Sequence, residues 1–293
     1  MSKRKNTSDK KPSYSRGGDD ESSDEDMDMV DVDFEWFDPQ PEVDFHGLKT
    51  LCRQLFDIDA QLFDLSALVD LILSQPLLGS TVKVDGNETD PYAFLTVLNL
   101  HVHREVSVIK TLTSYLLSKS TTTPSLSALT PLLSPESPSQ IGLILTERLI
   151  NMPAEITPPM YTMLLEEMEW ALQEKEPYNF SHYLIFSKTY VEVDSVVDAE
   201  GTEPVKKRKK KGSEKGTGGG ETFYFHAEDE VLHKFAVAHG SFDYTVEGDE
   251  GAADAKRTFL DAGIKPQGHV ILIEAAKFGE AVKAVKEYLN PGT

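Results

Sequence analysis

The 293-residue chain carries 49 acidic against 29 basic residues, a net charge of −20, and only 39% hydrophobic residues. That length admits one large domain or two small ones, and that charge argues against a nucleic-acid-binding core, because neutralising phosphates takes a basic surface. One cysteine, Cys52, excludes an intrachain disulfide, and no apolar run nears the ~18 residues of a membrane span. The N-terminal MSKRKNTSDKKPSYS is basic without an apolar centre, so it does not read as a secretory signal. Cytosol or nucleus is the expected compartment, and the Asn87-Glu88-Thr89 sequon is expected to be accidental.

Residues 1–29 are poor in apolar side chains and rich in Ser, Lys, Asp and Glu, the composition of a disordered tail. Ser22 and Ser23 precede Asp24, Glu25 and Asp26, a setting that suits an acid-directed kinase. Between Asp19 and Asp44 stand thirteen acidic residues and no basic one, and the second half threads aromatics through the acid. Phe34, Glu35, Trp36, Phe37 and Asp38 form the candidate partner-binding segment. Its carboxylates can neutralise a basic partner while its rings bury against that partner or against the chain's own core.

Leu48, Leu51, Cys52 and Leu55 recur at helical spacing and predict a helix after Gly47, with Cys52 a buried structural thiol. A second helix is expected from Leu65 to before Pro76. Thr81 to Val84 reads as a strand and Asp85-Gly86 as a hairpin turn. The apolar run after Pro91, to Leu100, suits a sheet interior, and Glu105 to Leu117 a helix. Residues 118–138 are rich in Ser, Thr and Pro and read as a loop with one short helix near Leu126 to Leu133. Ile141 to Leu149 and Tyr183 to Val193 predict strands, with a helix between them opened by Pro158 and Pro159. Its Glu166, Glu167 and Glu169 are expected on a solvated face.

A linker at about 198–220 follows, with KKRKKK at Lys206, Lys207, Arg208, Lys209, Lys210 and Lys211. Six consecutive cations in such a setting match a nuclear import signal, and hence an import receptor as partner. Binding of nucleic acid, or of the acidic tail, by this run is the alternative. Beyond it come strands at Glu221 to Phe225, Ala236 to Val246 and Val270 to Ile273. Helices are expected at Glu228 to Phe235, Phe259 to Ala262 and Glu280 to Leu289. The residues outside tail and linker are acidic too, at −12 for 45–205 and −6 for 221–293. Alternating strands and helices predict an α/β (α+β) domain over residues 30–293, a mixed central sheet flanked by helices.

Val30 to Asp57, VDVDFEWFDPQPEVDFHGLKTLCRQLFD, resembles the N-terminal signature of the BCCIP family of eukaryotic nuclear proteins. GLILTERLINMP (Gly142 to Pro153), SHYLIFSKTY (Ser181 to Tyr190), FYFHAEDEVL (Phe223 to Leu232) and HVILIEAAKF (His269 to Phe278) follow in the family's order. The resemblance implies a fold similar to the GCN5-related N-acetyltransferases without their cofactor site. It implies a non-enzymatic chaperone or escort for a basic large-subunit ribosomal protein, in ribosome assembly and nuclear export, shuttling between nucleus and cytoplasm. A nuclear-export cargo kinase is a further implied partner. A regulatory adaptor for cell-cycle or DNA-repair proteins, and a divergent acyltransferase, are the alternatives.

The residues support no cofactor and no catalytic group. Acetyl transfer needs a glycine-rich turn opening a helix to hold a pyrophosphate. Asn151-Met152-Pro153 follows the first long strand and Asp194-Ser195-Val196 the second. The run Lys215 to Gly220 leads into a strand, lacks the Ser or Thr after Gly-Lys of a P-loop, and reads as flexible linker. His101 and His103 would share one face at strand spacing, but no further metal ligands follow from spacing, so a structural role is expected. His182, His226, His233 and His239 are dispersed along the chain.

Overall fold

Strict alternation along the central strands gives this sheet two apolar faces. The computed structural model describes residues 33–75, 78–192, 222–246 and 263–290. All the described residues lie within Asp33–Thr293. The tail at 1–29, the linker with Lys206 to Lys211, and the helix expected at Phe259 to Ala262 lie outside the described residues. The strands are β1 (Glu35–Phe37), β2 (Ser80–Lys83), β3 (Ala93–Asn99), β4 (Ile141–Arg148), β5 (His182–Glu192), β6 (Thr222–Tyr224), β7 (Ala236–Phe242) and β8 (Ile264–Glu274). They form one mixed sheet in the order β1-β2-β3-β4-β5-β8-β7, with β6 also on β5. Every pairing is antiparallel except β4 with β5.

Phe94, Leu98, Leu143, Leu145, Leu184, Phe186, Val270 and Leu272 face one way, against α1 (Pro41–Phe56), α2 (Leu65–Leu73), α3 (Ser107–Thr122) and α4 (Leu129–Leu133). Their neighbours Leu95, Val97, Ile144, Tyr183, Ile185, Ile271 and Ile273 face the other way, against α5 (Thr157–Gln173), α6 (Asp229–Leu232) and α7 (Ala275–Leu289). Period-two alternation with both faces covered makes three layers, helices–sheet–helices. The parallel β4–β5 pair needs a crossover, and α5 supplies it.

Helix α1 starts earlier than the apolar spacing predicts. Pro41 occupies its first turn, where a missing N–H costs nothing. The carboxylate of Asp44 reaches back to accept the Gln40 N–H at 2.7 Å. Gly47 lies inside the helix, where glycine costs about 1 kcal/mol relative to alanine. A Cβ there would stand 2.3 Å from Pro91 Cδ, so close approach of the β2–β3 connection demands glycine. The predicted hairpin forms, but its connection runs from Val84 to Tyr92 rather than closing at Asp85-Gly86. Strand β8 is eleven residues long where four were expected, and α7 begins at Ala275 rather than Glu280.

Candidate protein-docking surface and a buried charge network

The acidic-aromatic segment becomes a strand. Glu35, Trp36 and Phe37 pair with Lys83, Val82 and Thr81 of β2, and β1 ends the strand order, so among the described residues its far side is an open edge. Phe34 and Trp36 are half-buried on the β2–β3–α5 core. Glu35 and Asp38 are exposed, as are Asp33 and Glu42 on either side. Phe37 lies 5.8 Å from the ammonium of Lys83, a buried cation held by Asp44 at 2.7 Å. Of the two possibilities for the rings, the structure shows packing against the chain's own core for Phe34 and Trp36, while Glu35 stays exposed on the same strand. The buried indole N–H of Trp36 has no hydrogen-bond partner among the described residues.

Helix α5 extends this acidic edge. Glu167 does not lie on the solvated face; it is buried and accepts from the Gly79 N–H at 2.9 Å. Gly79 takes φ +114°, which glycine allows without strain. Burial raises the Glu167 pKa, and the negative Asp38 adds to the rise, so β1 and α5 share one field. Glu166, Trp170 and Glu174, at four-residue spacing, form an exposed stripe along α5 and its C-cap. Trp170 is 58% exposed beside Glu169. The sequence reading did not single it out, although an aromatic between acids repeats the pattern of β1.

A second polar assembly lies inside. Strands β4 and β5 pair as far as Leu145 and Phe186, then separate, and β5 continues against β6 from Thr189. The gap lies at the carboxyl ends of the two parallel strands, where open α/β sheets bind ligands. Here the chain fills it with its own charges. Arg148 makes a two-pronged bond to Glu228, at 2.6 and 3.1 Å, and a third to Thr157 at 3.2 Å. Lys188 pairs with Glu147 at 2.5 Å and donates to the carbonyl of Gln54 at 3.0 Å. His226 bridges Glu147 at 3.1 Å and the Ser187 hydroxyl at 3.1 Å, and that hydroxyl donates to Asp229 at 2.6 Å. All these partners are buried except Gln54, which is half-buried.

Burial disfavours charge at Glu147, but His226 and Lys188 overcome it and hold its pKa at about 2. Burial likewise opposes protonation of His226, yet the hydrogen bond and charge of Glu147 leave its pKa raised. Asp229 goes the other way. Burial and the nearby Glu228 push it up to about 7, against His226. Ser187, His226 and Glu147 therefore have the connectivity of a nucleophile, base and orienting acid. The buried hydroxyl already donates to Asp229, so the group acts as a clamp between β4, β5 and the loop before α6.

Other sequence expectations change with the geometry. His101 and His103 lie in the turn after β3, not on a strand, so the shared face they would need does not form. Cys52 is fully buried, and burial, with the charge of Glu147, pushes its thiol up to about 12, which leaves it an unreactive core thiol. His233 and His239, close in sequence, are brought together with the distant His269, which the sequence reading passed over.

These features define an acidic α/β scaffold with helices on both faces of a mixed sheet and an aromatic-bearing acidic edge. The profile of the BCCIP family matches residues 29–232. The chain belongs to that family. It is 63% identical over 272 residues to a protein named bcp1 from Aspergillus fumigatus, covering 93% of this chain and 92% of that one. It is 52% identical over 265 residues to protein bcp1 of Schizosaccharomyces pombe, covering 89% and 91%. None of these names is that of an enzyme. Among solved structures, the crystal structure of BCP1 from Saccharomyces cerevisiae is similar with a TM-score of 0.60 at 25% identity, over 92% of this chain and 94% of that one.

Proposed function

We propose that this protein is a non-enzymatic nuclear escort that holds a basic large-subunit ribosomal protein through the acidic sheet edge and α5, and delivers it to ribosome assembly. The observation that carries the reading is the open edge of β1, where exposed Glu35 and Asp38 stand beside rings already seated on the core. A basic extended segment can add to such an edge by main-chain hydrogen bonds, with carboxylates on either side. The charge of −20 speeds encounter with cations. Selection among basic proteins then falls to shaped contacts at Trp36 and Trp170. Import through Lys206 to Lys211, a role in nuclear export, carriage of a kinase, and a fold akin to the GCN5-related N-acetyltransferases without a cofactor site belong to the same proposal.

The acyltransferase alternative meets a physical obstacle. The crevice between β4 and β5 that would admit a cofactor is occupied by the Arg148–Glu228 and Lys188–Glu147 pairs. The turn before α5, Asn151-Met152-Pro153, has no glycine to cradle a pyrophosphate. Affinity purification from nuclear extract at moderate salt, with intact bait and with Glu35→Gln/Asp38→Asn bait, tests the escort reading. One ribosomal protein at near-stoichiometric yield, depleted with the second bait, is the expected result. A broad set of basic proteins, equal on both baits, would reduce the acid to a solubility device. Stabilisation by millimolar acetyl-CoA would restore the enzyme reading, and cell-cycle or repair proteins without a ribosomal protein would favour the adaptor.

A further inference from the structure

Three histidines converge at the opposite end of the sheet from β1. His233 follows α6 directly, His239 lies on β7 and His269 on β8. In the β7–β8 register Ser241 stands opposite His269 and His239 opposite Ile271, so His239, Ser241 and His269 share one face. The Nε2 atoms of His233 and His269 are 2.8 Å apart, and a ligating nitrogen of each of the three rings lies within 4.8 Å of the others. The Tyr224 ring stands edge-on to His233 and His269, with centroids 5.0 and 5.9 Å away, and walls the cluster on that side.

We propose that His233, His239 and His269 bind one first-row divalent cation, zinc foremost, which ties the β7 edge of the sheet to the end of α6. Two facing Nε2 atoms need one proton between them, and a metal ion in that proton's place uses both lone pairs. Tetrahedral zinc with N–Zn bonds of ~2.05 Å sets its nitrogens roughly 3.3 Å apart. Binding therefore spreads His233 and His269 slightly and turns the exposed His239 out of its 3.9 Å stack on His233. His269 has a partner for its other nitrogen: Nδ1 stands 2.9 Å from the Ser241 hydroxyl, and in the tautomer that donates Nδ1–H to that oxygen Nε2 is left free to ligate, the outer-shell bond a ligating imidazole makes. Burial lowers all three pKa values, and the neighbouring imidazoles lower those of His233 and His269 further, so the rings are neutral and ready to ligate. Three neutral imidazoles suit zinc, copper, nickel or cobalt rather than magnesium or calcium. They leave a fourth position for water.

The test uses full-length protein without a histidine tag, stripped with a chelator and titrated with zinc against a competing metal indicator. One equivalent bound at micromolar or tighter affinity is expected, with a melting point several degrees higher in zinc. His239→Ala, an exposed position that leaves the apo fold intact, should lose at least tenfold in affinity, as should His269→Gln. Cobalt should give the intense visible bands of a tetrahedral site in wild type and not in His239→Ala. Affinity weaker than millimolar in wild type, or equal zinc affinity in wild type and His239→Ala, overturns the proposal.

Discussion

Replacing Arg148 by Met removes the cation that Glu228 depends on. Glu228 is completely buried and its pKa is depressed; burial works against its charge, while Arg148 and then His226 sustain it. With the two-pronged bond gone, the carboxylate either stays charged without its main partner or takes up a proton, and both states disfavour folding. Breaking a buried pair on one side costs about 3–5 kcal/mol. That is a large part of the 5–15 kcal/mol by which a typical domain is stable. At about 2–4 °C per kcal/mol for a domain of this size, the melting point should drop by roughly 6–20 °C. The double variant Arg148→Met/Glu228→Met should recover most of that loss, because no unpaired charge remains. Urea and thermal unfolding followed by the fluorescence of Trp36 and Trp170 read both numbers. A single-variant loss under about 1 kcal/mol, or a double variant worse than Arg148→Met alone, would refute the reading that the β4–β5 gap is closed by a matched charge network.

Three further outcomes are expected. Trp170→Ala should change stability by no more than about 0.5 kcal/mol, because the ring is exposed, yet weaken client binding by roughly 1 kcal/mol, about fivefold, in a calorimetric titration. Gly47→Ala should destabilise by up to about 2 kcal/mol in urea melts, since ~1–3 kcal/mol of overpacking against Pro91 outweighs the roughly 1 kcal/mol of helix propensity gained. The pH dependence of Glu147 has a definite sign. Its folded pKa of about 2 lies below the ordinary 4.5, so its charge stabilises the fold above 4.5 and that stability is lost as pH falls toward 2. The melting-point gap between wild type and Glu147→Gln should therefore be widest above pH 4.5 and narrow steadily below it.

The strands and helices with complete local patterns were legible in the sequence. Ile141 to Arg148 and most of His182 to Glu192 read as strands because their apolar runs are long, and α2 as a helix from Leu68, Val69, Leu71, Ile72 and Leu73; the structure adds the Asp64 cap. Strand β1 was not read as a strand, because three residues in acid carry no alternation, and β2 alone makes them a strand. The first half of β8 was hidden by Pro266 and Gly268. Pairing with β7 reaches only to Gly268, so Pro266 lies beyond the end of β7 and among the described residues is paired on the β5 side alone, the edge setting in which a strand tolerates proline. Glu167 was placed with its exposed neighbours because helix periodicity does not reveal that Gly79 waits to donate to it. The histidine trio and the Ser187–His226–Glu147 chain depend on register across strands, which spacing along the chain does not carry.

The buried charges also decide where the net charge acts. Lys83, Lys119, Arg148 and Lys188 are buried, and each has a carboxylate: Asp44, Asp59, Glu228 and Glu147. Two further buried carboxyls, Glu167 and Asp229, have no cation of their own in ion-pair contact among the described residues. In both, burial raises the pKa and shifts them toward the neutral form. Among the described residues the interior thus matches four Lys or Arg cations with four carboxylates, with His226 beside Glu147, and disfavours negative charge on Glu167 and Asp229. The acidic excess is then carried where solvent and partners meet it, on residues such as Glu35, Asp38, Glu166 and Glu174. A surface charged this way gains most of its long-range attraction at low salt, with a screening length near 10 Å at 0.1 M. Contacts with the rings of Trp36 and Trp170 are not screened. A client held by both should therefore lose affinity as salt rises and then level off, whereas one held by charge alone would fall without a plateau.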